Sequence, residues 1–299
     1  MKRFEGYTTA LVTPFLEDGT LDRQSFRRIV KAQKDAGIHG LLVAGTTGES
    51  PSLSLEERRL LMEDVRSEVK NSIPLMVGVG ANTTSYTIAL AKEAEKEGAD
   101  ALLVVTPYYN RPSQEGIYRH FMTVADATSV PLWLYDVPGR TGVRLSLETI
   151  KRLSHHANIV GIKDATGDLE QPIVLSNEIL KDFSQLGGED ALSLPYFIAG
   201  GDGCISVTAN VAPHLCVAMY EYWKKGNIVE AQKLQRALFS LHKAMFMESS
   251  PSPAKSALAD LGLISENLRL PLVPVQSPSK EAIRKILTKL HLMEKKDDE

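Results

Sequence analysis

Eight short runs rich in Val, Ile and Leu recur along the first two-thirds of the chain, separated by longer amphipathic stretches. They span Tyr7–Thr13, Gly40–Gly45, Pro74–Gly80, Ala99–Pro107, Val130–Pro138, Asn158–Thr166, Phe183–Gly188 and Gly203–Asn210. Near-continuous apolar runs, as opposed to alternating ones, suit parallel strands covered on both faces. The stretches between them read as helices: Leu55–Val69 opens with an acidic first turn, and Thr84–Glu97 stops at Gly98. Eight such repeats predict a closed (β/α)8 TIM barrel, which takes about 250 residues. An open doubly wound sheet is the alternative. No G-x-G-x-x-G follows the first run, and the match begun at Gly78 and Gly80 fails on its third glycine.

After about residue 211 the strand signal stops. Ile228–Glu248 reads as one long helix, Ala254–Leu261 as a short one and Lys280–Leu290 as another, and Glu294–Glu299 forms a charged tail expected to fray. The expected organisation is a catalytic barrel over residues 1–224 with a helical extension over 225–299. The chain of 299 residues is 43% hydrophobic, enough for a sizeable core. A net charge of -3 with no Lys/Arg run leaves no electrostatic footprint for nucleic acid or an anionic membrane. Cys204 and Cys216 are the two cysteines, and neither has disulfide-framework or zinc spacing. The basic start at Met1-Lys2-Arg3 has no apolar stretch behind it, and no run is long enough to span a bilayer. A cytoplasmic location is expected.

In a barrel the active site lies where the strands end at their C-termini, which selects the residues to inspect. Lys163, in Ile162-Lys163-Asp164, is the lone lysine in the eight runs. Burial removes the hydration of an ammonium and favours the neutral amine, which can attack a ketone and form a Schiff base. The plainer alternative is an ion pair with Asp164 or Glu189. Thr46-Thr47-Gly48 offers two hydroxyls and a run of backbone N–H groups, a turn able to hold a carboxylate, or simply a glycine turn with threonine caps. Tyr135 can relay protons and Arg140 can clamp a second carboxylate, or they can be a core tyrosine beside a surface arginine. Glu189, Asp190 and Asp202 near the seventh and eighth runs would repel phosphate. No histidine converges with them, so no metal site is expected. His155-His156, at the end of a helix, reads as a pair of exposed cations.

Five stretches occur in order: Gly45-Thr46-Thr47-Gly48-Glu49, Thr106 to Pro112 (TPYYNRP), Tyr135 to Gly142 (YDVPGRTG), Gly161-Ile162-Lys163-Asp164-Ala165 and Gly203-Cys204-Ile205-Ser206-Val207. With them the chain resembles the dihydrodipicolinate synthase family, within the N-acetylneuraminate lyase superfamily of pyruvate-dependent class I aldolases. The resemblance implies a Schiff base between Lys163 and pyruvate. It implies a proton relay of Thr46, Tyr135 and Tyr109, with Tyr109 reaching in from a neighbouring subunit. Thr46 and Thr47 would hold the pyruvate carboxylate, and Arg140 the carboxylate of L-aspartate-4-semialdehyde. Gly188 and Ile205 would line the pocket through backbone groups. A homotetramer built from tight dimers is implied, with no cofactor.

The chain departs from the family pattern in places. Asp136 stands where asparagine is usual, and Gly187-Gly188-Glu189-Asp190 replaces a common Ser-Gly-Asp-Asp. Residues 248–255 (ESSPSPAK) replace the usual EPNPIPVK, a change expected to alter packing at the C-terminal end and not the chemistry. In lysine-inhibited members the allosteric pocket carries histidines and a glutamate; Leu55, Arg58 and Tyr86 take the matching places here. Weak or absent inhibition by lysine is therefore expected. The rival activities are a sialic-acid or 2-keto-3-deoxy-sugar-acid lyase, which would need neutral groups at the place of Arg140, and a catalytically silent barrel kept for assembly or regulation.

Overall fold

Eight strands pair in chain order, each parallel to the next, and the last returns to the first to close a barrel. The structure, a computed structural model, describes residues 4–179 and 182–294. The basic start at 1–3 and the charged tail past 294 lie outside the described residues. The first half runs β1 (Gly6–Ala10), α1 (Arg23–Asp35), β2 (Gly40–Val43), α2 (Leu55–Val69), β3 (Leu75–Gly78), α3 (Thr84–Lys96), β4 (Ala101–Val105) and α4 (Gln114–Asp126). The second runs β5 (Leu132–Asp136), α5 (Pro138–Thr141), α6 (Leu147–Ser154), β6 (Ile159–Asp164), α7 (Glu170–Glu178), β7 (Ser184–Gly187), α8 (Ser193–Ile198), β8 (Gly203–Ser206) and α9 (Pro213–Lys224). Three helices follow: α10 (Ile228–Ala244), α11 (Ser252–Asp260) and α12 (Ser277–Lys289).

Local chemistry sets these boundaries. Ser54 and Glu57 form a reciprocal capping box at the start of α2: the Ser54 hydroxyl accepts from the Glu57 N–H at 3.1 Å, and the Glu57 carboxylate accepts from the Ser54 N–H at 2.8 Å. β4 ends at Val105; the Thr106 N–H still donates to Tyr135 O at 3.0 Å, and Pro107, which has no N–H to donate, ends the ladder there although the apolar run reaches that far. α11 and α12 each begin earlier than the sequence reading. Pro253 and Pro278 stand in their first turns, where a missing N–H costs nothing. α10 ends at Ala244, four residues short of the expected Glu248.

Side chains alternate across the barrel wall. Leu134 and Ile162 face outward, into the apolar layer between strands and helices, while Trp133, Leu186 and Ile205 face inward. Phe4 and Trp133 pack edge to face at 5.3 Å, filling the interior below the site. Gly161 makes room for that indole, since a Cβ there would lie 2.4 Å from Trp133 Nε1. The outer layer continues without a break into Leu238, Leu241, Leu258, Ile283 and Leu287 of the last three helices. Each large aliphatic side chain buried there contributes roughly 1.5–3 kcal/mol. Among the described residues no helix is long and apolar enough to cross a membrane.

Candidate active site

Lys163 and Tyr135 sit opposite each other in the β5–β6 ladder and share the inward face. Both are only 7% exposed. The ammonium nitrogen of Lys163 lies 4.3 Å from the centre of the Tyr135 ring. The next residue along each strand points the other way. Asp164 turns outward, where its carboxylate accepts from the Thr166 N–H (2.9 Å) and hydroxyl (2.7 Å) and from Gln171 Nε2 (2.8 Å). It is therefore not the ion-pair partner of Lys163. Glu189 is close enough for the Lys163 charge to favour its ionised form, but burial dominates and raises its carboxyl.

Thr46 and Thr47 follow β2 in a tight turn. The N–H groups of Gly48 and Ser50 both donate to Gly45 O (3.1 and 3.2 Å), and that of Glu49 donates to Thr46 O (3.1 Å). The Thr13 hydroxyl anchors the turn through Gly48 O at 2.8 Å. Thr46, Thr47, Tyr135 and Lys163 line one cavity of about 240 Å³, which extends outward past Tyr108 to Arg58 and Tyr86. A small keto acid fits this volume, with hydroxyls on one wall and a primary amine on another.

The remaining candidates, Gly188, Ile205, Arg140 and Tyr109, are not among the residues that line this cavity. Gly188 approaches Lys163 closely: a Cβ there would lie 3.1 Å from Lys163 Cε and 2.7 Å from Ala165 Cβ. Ile205 is buried on β8 in the interior cluster that includes Tyr135. Arg140 is exposed on α5, within electrostatic reach of Glu189 across the mouth. Tyr109 is 91% exposed and held at φ 74°, in the left-handed region, where a non-glycine residue is strained. It does not line the cavity of its own chain.

Asp190 and Asp202 are structural. Asp190 is 1% exposed and accepts from the Ser206 hydroxyl, the Val207 N–H (2.8 Å) and the Thr208 N–H (3.1 Å), tying the loop after β7 to the end of β8. Asp202 accepts from the Gln185 N–H at 2.8 Å. A short acidic loop carries no sequence signal that separates such an inward carboxylate from a solvated one. His156 is likewise less exposed than expected, since its ring meets Asp126 at 3.0 Å.

Asp136 is fully buried behind Tyr135, beside Asp164 in the ladder. One carboxyl oxygen accepts from the Leu145 N–H at 3.2 Å, and the other has no hydrogen-bond partner. Burial pushes this carboxyl up to about 7, with the nearby Asp164 charge adding to the rise and the Leu145 N–H opposing it.

Comparison with known proteins places the chain in a family. The family model described as "Dihydrodipicolinate synthetase family" matches residues 3–290. The chain belongs to the dihydrodipicolinate synthetase family. A curated 4-hydroxy-tetrahydrodipicolinate synthase of Gluconobacter oxydans (strain 621H) is 47% identical over 291 residues, covering 97% of this chain and 98% of the relative. The dihydrodipicolinate synthase structure from Thermotoga maritima superposes with a TM-score of 0.94 at 42% identity, covering 97% of this chain and 99% of the other. A chloride-inhibited dihydrodipicolinate synthase from Acinetobacter baumannii, solved in complex with pyruvate, superposes at 0.95 with 40% identity, covering 97% and 100%. Members of this family are Schiff-base-forming enzymes of the aldolase type, and the fold and cavity described above are those of such an enzyme.

Proposed function

We propose that this enzyme condenses pyruvate with L-aspartate-4-semialdehyde to give 4-hydroxy-tetrahydrodipicolinate, on the route to lysine and meso-diaminopimelate. The observation that carries the reading is Lys163, a buried primary amine facing Tyr135 in a cavity that Thr46 and Thr47 also line. Lys163 Nζ attacks the C2 carbonyl of pyruvate, water leaves, and a protonated imine forms. The imine draws electrons from C3, which loses a proton and becomes an enamine carbon. That carbon attacks the aldehyde of the second substrate and forms the new C–C bond. The amino group of the second substrate then displaces Lys163 Nζ from C2, closing a six-membered ring and freeing the amine. The imine is its own electron sink, so these steps call for no cofactor.

The hydroxyls of Thr46 and Tyr135 move the protons, and Thr46 and Thr47 hold the pyruvate carboxylate. Gly188 and Ile205 frame the keto acid with backbone groups, and Arg140 takes the carboxylate of the semialdehyde. The exposure of Tyr109 supports its serving a neighbouring copy's site, within a homotetramer of tight dimers in the cytoplasm. Residues 1–224 act as the catalytic barrel and 225–299 as its helical extension. Borohydride reduction in the presence of pyruvate tests the chemistry, with a mass adduct expected on the peptide holding Lys163. No adduct overturns the reading in favour of a silent barrel. Preferred cleavage of sialic acid or a 2-keto-3-deoxy-sugar acid would refute the second substrate.

A further inference from the structure

Glu49 ends the Thr46–Thr47 turn in an improbable state for a glutamate. It is 3% exposed, and its φ of 55° lies in the left-handed region, where a residue with a Cβ is strained. Its partners come from more than 200 residues away. Lys255 Nζ, on α11, donates to one carboxylate oxygen at 2.5 Å, and the Arg269 N–H donates to the other at 3.1 Å. Lys255 is itself fully buried and donates also to Asn267 O at 2.8 Å. Its ammonium lies 4.4 Å from the centre of the Phe15 ring, and the Arg269 guanidinium stacks on the same ring at 4.2 Å. Arg269 donates to Ser52 O at 2.6 Å, so it grips the segment just beyond Glu49 as well.

A buried ion pair of this kind adds little net stability, because desolvation of both charges offsets their attraction. Burial indeed pulls the Lys255 ammonium down to about 8, despite Glu49 beside it. What the pair does supply is position. The carboxylate must meet Lys255 and the Arg269 N–H at once, which fixes the Glu49 backbone. Through the Glu49 N–H to Thr46 O bond, that fixes the turn.

We infer that Glu49 and Lys255 are positioning residues for keto-acid binding: the extension reaches back to the second strand and holds the Thr46–Thr47 turn in register with Lys163. This inference rests on the pyruvate-dependent activity proposed above. It makes α11 a working part of the site.

The test uses Lys255→Met and the double variant Glu49→Gln/Lys255→Met in the full-length chain. The single change strands a buried carboxylate and is expected to destabilise the fold. The double change removes both charges and is expected to regain most of the lost Tm. In that double variant the KM for pyruvate is expected to stay about tenfold or more above wild type, and kcat is expected to fall as well, because Thr46 both holds the carboxylate and moves protons. A purely structural pair would give back KM together with Tm, and that result overturns the inference. Borohydride trapping of wild type with pyruvate separates the two readings. If wild type forms no adduct, the proposed chemistry fails. If wild type forms it and the double variant saturates with pyruvate at the same concentration, only the positioning role fails.

Discussion

Replacing Asp136 by asparagine should stabilise this enzyme, and by more as the pH rises. The carboxyl is fully buried, has one unpartnered oxygen and lies next to Asp164. Its ordinary value of 3.8 is raised to about 7. Below 3.8 the group is protonated in both folded and unfolded chains, and no difference arises. Between 3.8 and 7 the unfolded chain releases the proton while the folded one keeps it, so stability falls as pH rises. Above 7 the loss is complete. A displacement of about 3 pH units at 1.36 kcal/mol each makes it roughly 4 kcal/mol. At pH 5 roughly 2 kcal/mol of it is already lost, so the stability gap between variant and wild type should widen by about 2–3 kcal/mol from pH 5 to pH 8. Asparagine keeps an oxygen for the Leu145 N–H and can turn its amide toward the carboxylate of Asp164. Urea unfolding at one fixed protein concentration, at pH 5 and at pH 8, measures the gap. A gap that stays constant or narrows would refute the placement of a proton on Asp136.

Three further outcomes follow from the site. Gly188→Ala should lower kcat/KM by about tenfold or more, since the new methyl would press on Ala165 and on the Lys163 stem and tilt the amine; steady-state kinetics at wild-type levels would count against the close approach. Arg140→Ala should raise the KM for the semialdehyde by about tenfold or more while leaving that for pyruvate nearly unchanged, the signature of a lost charge-assisted contact. Lysine should inhibit weakly or not at all. The Arg58 guanidinium, bonded to Gly78 O and Ser50 O at 2.8 and 2.7 Å, lines the outer cavity beside Asn82 and Tyr86 and repels an ammonium. A dose–response curve showing strong inhibition by sub-millimolar lysine would contradict this.

The barrel was legible because its strands announce themselves locally: each is a short apolar run, and eight of them bounded by helices leave few other closures. Lys163 was legible for a related reason, as a charge inside such a run. Asp190 was not, because its partners Ser206, Val207 and Thr208 lie across a strand and a helix that no periodicity connects to it. The starts of α11 and α12 were misplaced because prolines that break a helix interior also open one, and the sequence alone does not say which they do. In the altered segment 248–255, Ser250, Ser252, Pro253 and Ala254 are buried and Lys255 reaches Glu49, a pairing across 206 positions that no local pattern announces.

Among the described residues two lysines, Lys163 and Lys255, are buried, and their different surroundings bear on which one the proposed chemistry would use. Lys255 has a carboxylate and a backbone carbonyl on its nitrogen and no exposure at all. To attack a ketone it would have to break both contacts and leave Glu49 charged with only the Arg269 N–H on its carboxylate, a loss of about 3–5 kcal/mol before any chemistry. Lys163 retains 7% exposure, opens onto the cavity and faces a tyrosine ring, with Asp164 turned to the outside of the barrel. Its amine gives up no hydrogen-bonded carboxylate on attack. Burial alone, which marks both residues, therefore does not identify a nucleophile; burial without a bound carboxylate does. Peptide mapping after pyruvate and borohydride treatment should accordingly find the adduct on Lys163 and leave Lys255 unmodified. Label on Lys255 at a comparable level would mean that its ion pair opens in solution.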